Sequence, residues 1–151
     1  MGFSLKLKFT DILVPGSLKN YAVNGKISGY RFDVRLGYYR GHYLSDIEKL
    51  EINLDSQSIP EEDITFCLNG KTFTPSELKY MISEYWYILE PATLMIHQPG
   101  GLSAGAHEID LTLILRSPYM PVPGSSEPHA YVPIDSCDRQ TLNLSEEVIN
   151  V

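Results

Sequence analysis

Two histidines, His97 and His107, flank the turn Pro99-Gly100-Gly101-Leu102-Ser103-Ala104-Gly105 and are the first residues whose spacing suggests chemistry. Two imidazoles facing each other across a reversal would begin a metal site. Strand register decides whether they meet. If residues 93–98 and 107–116 pair directly, matching Ile96 with Ile109 and Leu94 with Leu111 puts the apolar residues on one face. That register sends His97 and His107 to opposite faces, because a one-residue slip inverts every side chain. Burying the apolar set is worth more than ~5 kcal/mol, at about 1.5–3 per large side chain. No carboxylate or third histidine stands at a metal-ligand spacing beside them.

The acids and nucleophiles cooperate no better. Glu61-Glu62-Asp63 follows Pro60 and reads as a solvated turn. Glu90 precedes Pro91 at a strand entry, where a buried carboxylate could do proton work. Spacing identifies no second carboxylate for it, so a glycosidase pair has no support. No GxSxG occurs, and Cys67 and Cys137 form neither a CxxC nor a metal-spaced pair. The glycines at 100, 101 and 105 supply positive φ for a turn, not a phosphate cradle, since no helix follows them. No catalytic or metal-ligating residue is assigned to this chain.

Aromatic loops stand out instead. Gly37-Tyr38-Tyr39-Arg40-Gly41-His42-Tyr43 sets three tyrosines and an arginine between glycines, and Tyr85-Trp86-Tyr87 and Pro118-Tyr119-Met120-Pro121 add bulky tips. Tyrosine and arginine combine large contact area with a polar handle, which interfaces favour. Three readings stay open: a sugar-stacking platform, a subunit interface, or rings folded back on their own sheet. Ile114 beside Arg116, an apolar residue on a polar face near a proline-bounded tip, tilts the balance toward an interface. The expected partner-facing rim is Tyr38, Tyr39, Arg40, Tyr43, Trp86, Ile114, Arg116, Tyr119 and Met120.

The elements that must carry this rim are strands. Ile109, Leu111, Leu113 and Leu115 alternate with Glu108, Asp110, Thr112, Ile114 and Arg116, and Tyr30, Phe32, Val34 and Leu36 alternate with Arg31, Asp33 and Arg35. Leu5, Leu7 and Phe9 read as a first strand. Asn24-Gly25 and Asn69-Gly70 each separate two strand-like runs, the pattern of a type I′ hairpin, and Asp55-Ser56-Gln57-Ser58 turns the chain. Thr74-Pro75-Ser76-Glu77 is a capping box that opens one short helix. About eight strands with regular turn signals predict an all-β, antiparallel β-sandwich or jelly-roll-like single domain over residues 1–121. Prolines at 123, 128 and 133 make residues 122–151 an extended C-terminal arm, packing on the domain or on a partner.

Composition narrows the partners. The 151 residues are 43% hydrophobic and 21% charged, with a net charge of −7 and only 12 basic residues. Phosphate backbones need clustered Lys and Arg, so nucleic acid is not expected. No apolar run approaches the ~20 residues of a membrane span, and the alternating opening MGFSLKLKFT lacks the continuous apolar region of a secretion signal. A cytoplasmic, acidic domain is expected.

Several of these stretches resemble the small (beta) subunit of bacterial C-glycoside deglycosidases. The matching residues are Arg35-Leu36-Gly37-Tyr38-Tyr39-Arg40-Gly41, Leu68-Asn69-Gly70-Lys71, Glu90-Pro91-Ala92-Thr93-Leu94, Pro99-Gly100-Gly101-Leu102, His107-Glu108 and Leu115-Arg116-Ser117-Pro118-Tyr119-Met120-Pro121. The likeness runs from about Lys26 to Pro121. It implies a non-catalytic β-sandwich bound to a larger (β/α)-barrel subunit that holds a divalent metal, usually manganese, and the general base. It implies a 3-keto C-glycoside substrate, whose aromatic aglycone leaves by elimination. An independent carbohydrate-binding module is the competing reading, and co-purification with a barrel partner separates the two.

Overall fold

The computed structural model of the chain describes residues 10–37, 40–121 and 131–151, with side chains described except at 118–121 and 131. Turn chemistry sets its hairpins. Asn24 and Gly25, at φ 52° and 78°, join β1 (Lys19–Val23) to β2 (Lys26–Val34). A short β3 (His42–Tyr43) precedes β4 (Ile47–Leu54), and Asp55 and Ser56, at φ 49° and 69°, turn β4 into β5 (Gln57–Ser58). Asn69 and Gly70, at φ 55° and 74°, link β6 (Ile64–Leu68) to β7 (Lys71–Phe73). Each loop has two residues of positive φ, the type I′ requirement that matches the strand twist.

The capped helix is a 3-10 helix, Pro75–Tyr80, and the Glu77 carboxylate accepts from the backbone N–H and the hydroxyl of Thr74 at 2.8 and 3.0 Å. After it come β8 (Tyr85–Trp86), β9 (Ala92–His97), β10 (Ala106–Pro121), β11 (Tyr131–Asp135), β12 (Asp138–Asn143) and β13 (Val148–Asn150). The expected first strand at Leu5 to Phe9 lies outside the described residues.

The fold is all-β. One sheet runs β13-β1-β2-β9-β6-β7, the other β11-β10-β4-β5 with β12 also on β10, and β3 pairs with β8 alone. Inward residues of both larger sheets, among them Tyr30, Phe32, Phe66 and Leu94 from one and Ile52, Ile109, Leu111 and Leu113 from the other, form a single buried cluster. Period-2 alternation produced that cluster, since each strand delivers every second side chain to one face.

Strands β9 and β10 do not pair, contrary to the reversal the glycines suggested. Both edges of β9 are taken, by β2 and β6, while β10 pairs with β4 and β12. Residues 99–105 therefore cross from one sheet to the other. Asn20 holds the crossing by exchanging two hydrogen bonds with the backbone of Leu102, at 2.9 and 3.1 Å. Gly101 lies against it at φ 65°, and a Cβ there would sit 2.5 Å from Asn20 Oδ1. Gly101→Ala is expected to cost about 1–3 kcal/mol, from backbone strain and overpacking. Urea titration checks this; an unchanged midpoint contradicts it.

Residues 131–151 pack on the domain as ladder strands. Strands β11 and β12 flank β10, and β13 lies parallel to β1 with Asn20 opposite Val148. Pro133 is accommodated because β11 is a sheet edge, where a missing N–H costs no ladder bond. The Asp138 carboxylate is 8% exposed and accepts the backbone N–H groups of Ile12 and Leu13 at 3.1 and 3.0 Å, tying the two ends of the described fold together.

Candidate functional site

The β3–β8 ribbon builds the most distinctive surface. Tyr43 stands opposite Tyr85 and His42 opposite Trp86, so alternation sends one pair outward and the other inward. Trp86 is fully buried, meets Phe66 edge-on at 5.4 Å, and donates its indole N–H to the Glu90 carbonyl at 2.6 Å. This corrects its expected place on the rim: the ribbon has one inward face, and the largest apolar ring occupies it. Gly41 permits the close approach, since a Cβ there would lie 2.4 Å from the Trp86 carbonyl oxygen.

Outward, the rings of Tyr43 and Tyr85 meet edge-on at 4.9 Å and those of Tyr85 and Tyr87 at 4.8 Å. Together with Arg40 and Ser83 they line an open hollow of about 650 Å³. Lys71 pairs with Glu84 beside it and holds that carboxylate below its usual range. Next to the hollow, Tyr87 to Glu90 forms a turn closed by the Glu90 N–H to the Tyr87 carbonyl at 3.2 Å. Leu89, the third residue of that turn, has φ 66° and is 59% exposed. Among the described residues, Tyr43 and Tyr87 are exposed large hydrophobic side chains on or next to this ribbon, and Tyr80, Ile82 and Leu89 are exposed in the segments that flank β8.

Beneath the ribbon lies a buried polar relay. His42 Nδ1 faces Asp46 Oδ2 at 3.1 Å, and Asp46 Oδ1 lies 3.7 Å from an Arg116 guanidinium nitrogen that reaches the surface. His42 Nε2 is buried without a hydrogen-bond partner. Buried carboxylates require such pairing, and removing either neighbour would cost Asp46 one of the partners that offset its burial.

Of the residues expected at the rim, Arg40 and Tyr43 line the hollow, and Arg116 joins the ribbon through Asp46. Ile114 is half-buried on β10. Tyr38 and Tyr39, and the side chains of Tyr119 and Met120, lie outside the described residues. Leu89 has no counterpart in the sequence reading, and Tyr87, part of the Tyr85-Trp86-Tyr87 run, stands outward where the expected rim names Trp86. The Tyr-Trp-Tyr alternation carried the signal for Tyr87, because an inward Trp86 forces both neighbours out.

The histidines lie apart. His97 is exposed at the end of β9, whereas His107 is buried between Asp55 and the Ser103 carbonyl. Among the described residues no group of three or more His, Cys, Asp or Glu side chains is placed to hold a metal, and no helix is long and apolar enough to cross a membrane.

The family model described as C-glycoside deglycosidase beta subunit matches residues 9–119. A C-glycoside deglycosidase beta subunit of Eubacterium cellulosolvens is 38% identical over 98 residues, covering 65% of this chain and 67% of that protein. A 3'-dehydrocarminate deglycosidase beta subunit of a Microbacterium species is 36% identical over 98 residues, 64% of this chain and 73% of its own. A C-glycoside deglycosidase beta subunit of Microbacterium trichothecenolyticum is 32% identical over 113 residues, 73% and 80% of the respective chains.

Proposed function

Because the chain belongs to the C-glycoside deglycosidase beta subunit family, we propose that it is the non-catalytic small subunit of a hetero-oligomeric carbon–carbon lyase. Its partner is a larger (β/α)-barrel subunit that carries the reacting groups. The substrate is a 3-keto sugar joined through carbon to an aromatic, flavonoid-like aglycone. The ketone acidifies the neighbouring C2 proton; loss of that proton breaks the C1–aglycone bond, and a proton returned to the aglycone carbon balances the step. A divalent metal such as manganese, held by the partner, would supply Lewis-acid stabilisation of the developing charge. The complex is proposed to work in the cytoplasm.

The observation that carries this reading is the row of Tyr43, Tyr85 and Tyr87, whose rings meet edge-on along the outer side of one ribbon beside Arg40. Exposed apolar residues scattered singly need no explanation, whereas a contiguous aromatic patch marks an interaction surface. Relatives named as beta subunits imply a partner subunit, and the patch with its Arg40 edge suits that partner.

Purified alone with manganese and a 3-keto C-glycoside, the chain is expected to release no aglycone, and to gain activity when a barrel partner is co-expressed. Turnover by the lone chain would refute the division of labour. Tyr43→Ala removes the outer ring of the tyrosine row and is expected to weaken assembly about tenfold or more, as truncating an interface aromatic does. Sedimentation of an unaltered complex at limiting concentration would count against it. Glycan binding by a stable monomer, with no partner recovered, would favour a carbohydrate-binding module.

A further inference from the structure

His107, 7% exposed at the start of β10, has an acceptor at each ring nitrogen: Asp55 Oδ2 lies 2.7 Å from Nδ1 and the Ser103 carbonyl oxygen 2.8 Å from Nε2. A neutral imidazole carries one N–H and can satisfy only one of two such acceptors. Only the imidazolium donates to both. The opposite orientation of the proton demand is closed off, because the Ser103 carbonyl cannot donate and Asp55 already accepts the Glu108 N–H through its other oxygen at 2.8 Å.

We propose that His107 is a charged clamp, an imidazolium that joins the β4–β5 turn at Asp55 to the sheet-crossing loop at Ser103 and lets go of Ser103 when it loses its proton, because the one remaining N–H stays on the charged Asp55 carboxylate. The clamp spans three separate pieces of chain, and it sits where β9 gives way to β10. The loop has a second anchor, the Asn20–Leu102 pair, which carries no titrating group. Loss of the proton therefore loosens the Ser103–Gly105 half and spares the half around Leu102.

The groups around His107 support this polarity. From the β4–β5 turn comes Asp55; β12 offers Leu142 as its cross-strand neighbour; Tyr30 of β2 is a buried phenol lying near Asp55 and Asp63. On its own strand Glu108 points to the opposite face, toward Arg139. Burial alone would lower the His107 pKa, but the bonds to the Ser103 carbonyl and to Asp55 outweigh it and raise it above its ordinary 6.5. The His107 and Glu108 bonds to Asp55 in turn lower its pKa below 3.8. A raised histidine pKa contributes stability below the unfolded value, which is lost as pH rises through the folded one. A depressed carboxylate pKa contributes above its unfolded value, and that is lost as pH falls through the folded one. The clamp is thus fully set between about pH 4 and pH 6.5.

Imidazole nitrogen shifts and amide exchange of the full chain, with its partner where the two co-purify, test this. At pH 6 both His107 nitrogens are expected to be protonated, with a titration midpoint above 6.5 that Asp55→Asn lowers. Between pH 6 and pH 9, after correction for intrinsic base catalysis, the amide of Leu144, which donates to the Gly105 carbonyl at 2.9 Å, is expected to lose protection while that of Leu102, held by Asn20, keeps it. A single neutral tautomer at pH 6, or protection of Leu144 that does not change with pH, would overturn the proposal. These readouts do not involve aglycone release, so they stand or fall separately from the subunit reading.

Discussion

Asp138→Ala is expected to lower the melting temperature by about 10–15 °C. Its carboxylate is the acceptor for the backbone N–H groups of Ile12 and Leu13, 126 and 125 residues away in sequence. Truncation would strand both buried donors, each at about 1–3 kcal/mol, and would leave a void besides. The total, about 3–5 kcal/mol, is a large share of the 5–15 kcal/mol that holds a typical domain together. Asp138→Asn keeps one carbonyl oxygen and should fall between wild type and alanine. Asp110→Ala is the contrast: it breaks an ion pair with Arg139 at 2.8 Å, but both side chains are solvated, so the loss should stay within about 1 kcal/mol. Calorimetry of the three variants decides the matter; equal shifts for Asp138→Ala and Asp110→Ala would show that the Asp138 carboxylate bears no special weight.

That carboxylate also marks where sequence reading ended. The two Asn-Gly hairpins, the Asp55-Ser56 turn and the Thr74–Glu77 capping box were legible because each depends on residues adjacent in the chain and on a φ or a hydrogen bond that few residue types supply. Inward and outward faces of β2, β4, β6 and β10 followed from alternation. What depended on distant pairing did not follow. Nothing local assigns β9 and β10 to different sheets, because both carry a valid core face and only the competition among β2, β4, β6 and β12 for their edges separates them. Pro133 argued for an arm, since proline is excluded from central strands; the edge position that excuses it is a fact of topology. The Tyr-Trp-Tyr run shows two possible faces, so alternation alone does not turn Trp86 inward, and its contact with Phe66 decides between them.

Leu89 carries the second prediction, in which two measurements should move in opposite directions. A leucine at φ 66° costs about 1–2 kcal/mol against the ordinary right-handed or extended basins, because its Cβ crowds the following carbonyl. The third position of a turn of this kind suits glycine or asparagine. Leu89→Gly should therefore stabilise the isolated chain by about 1 kcal/mol, seen as a higher urea midpoint. The strain is retained for a side chain that stands 59% exposed beside Tyr87, where it does nothing for the chain's own core. If that side chain exists to fill a pocket on the partner subunit, the same variant should weaken assembly by about 2 kcal/mol, roughly 30-fold in Kd, as loss of an apolar anchor does. Leu89→Asn should behave alike, since asparagine also tolerates this backbone. A variant that is more stable alone and assembles normally would remove Leu89 from the interface, while one that is less stable alone would mean the turn is held by contacts of the leucine itself. The combination of gain and loss is the signature of strain kept for binding: the folded chain alone has no use for an apolar side chain held there, and only a second surface could repay it.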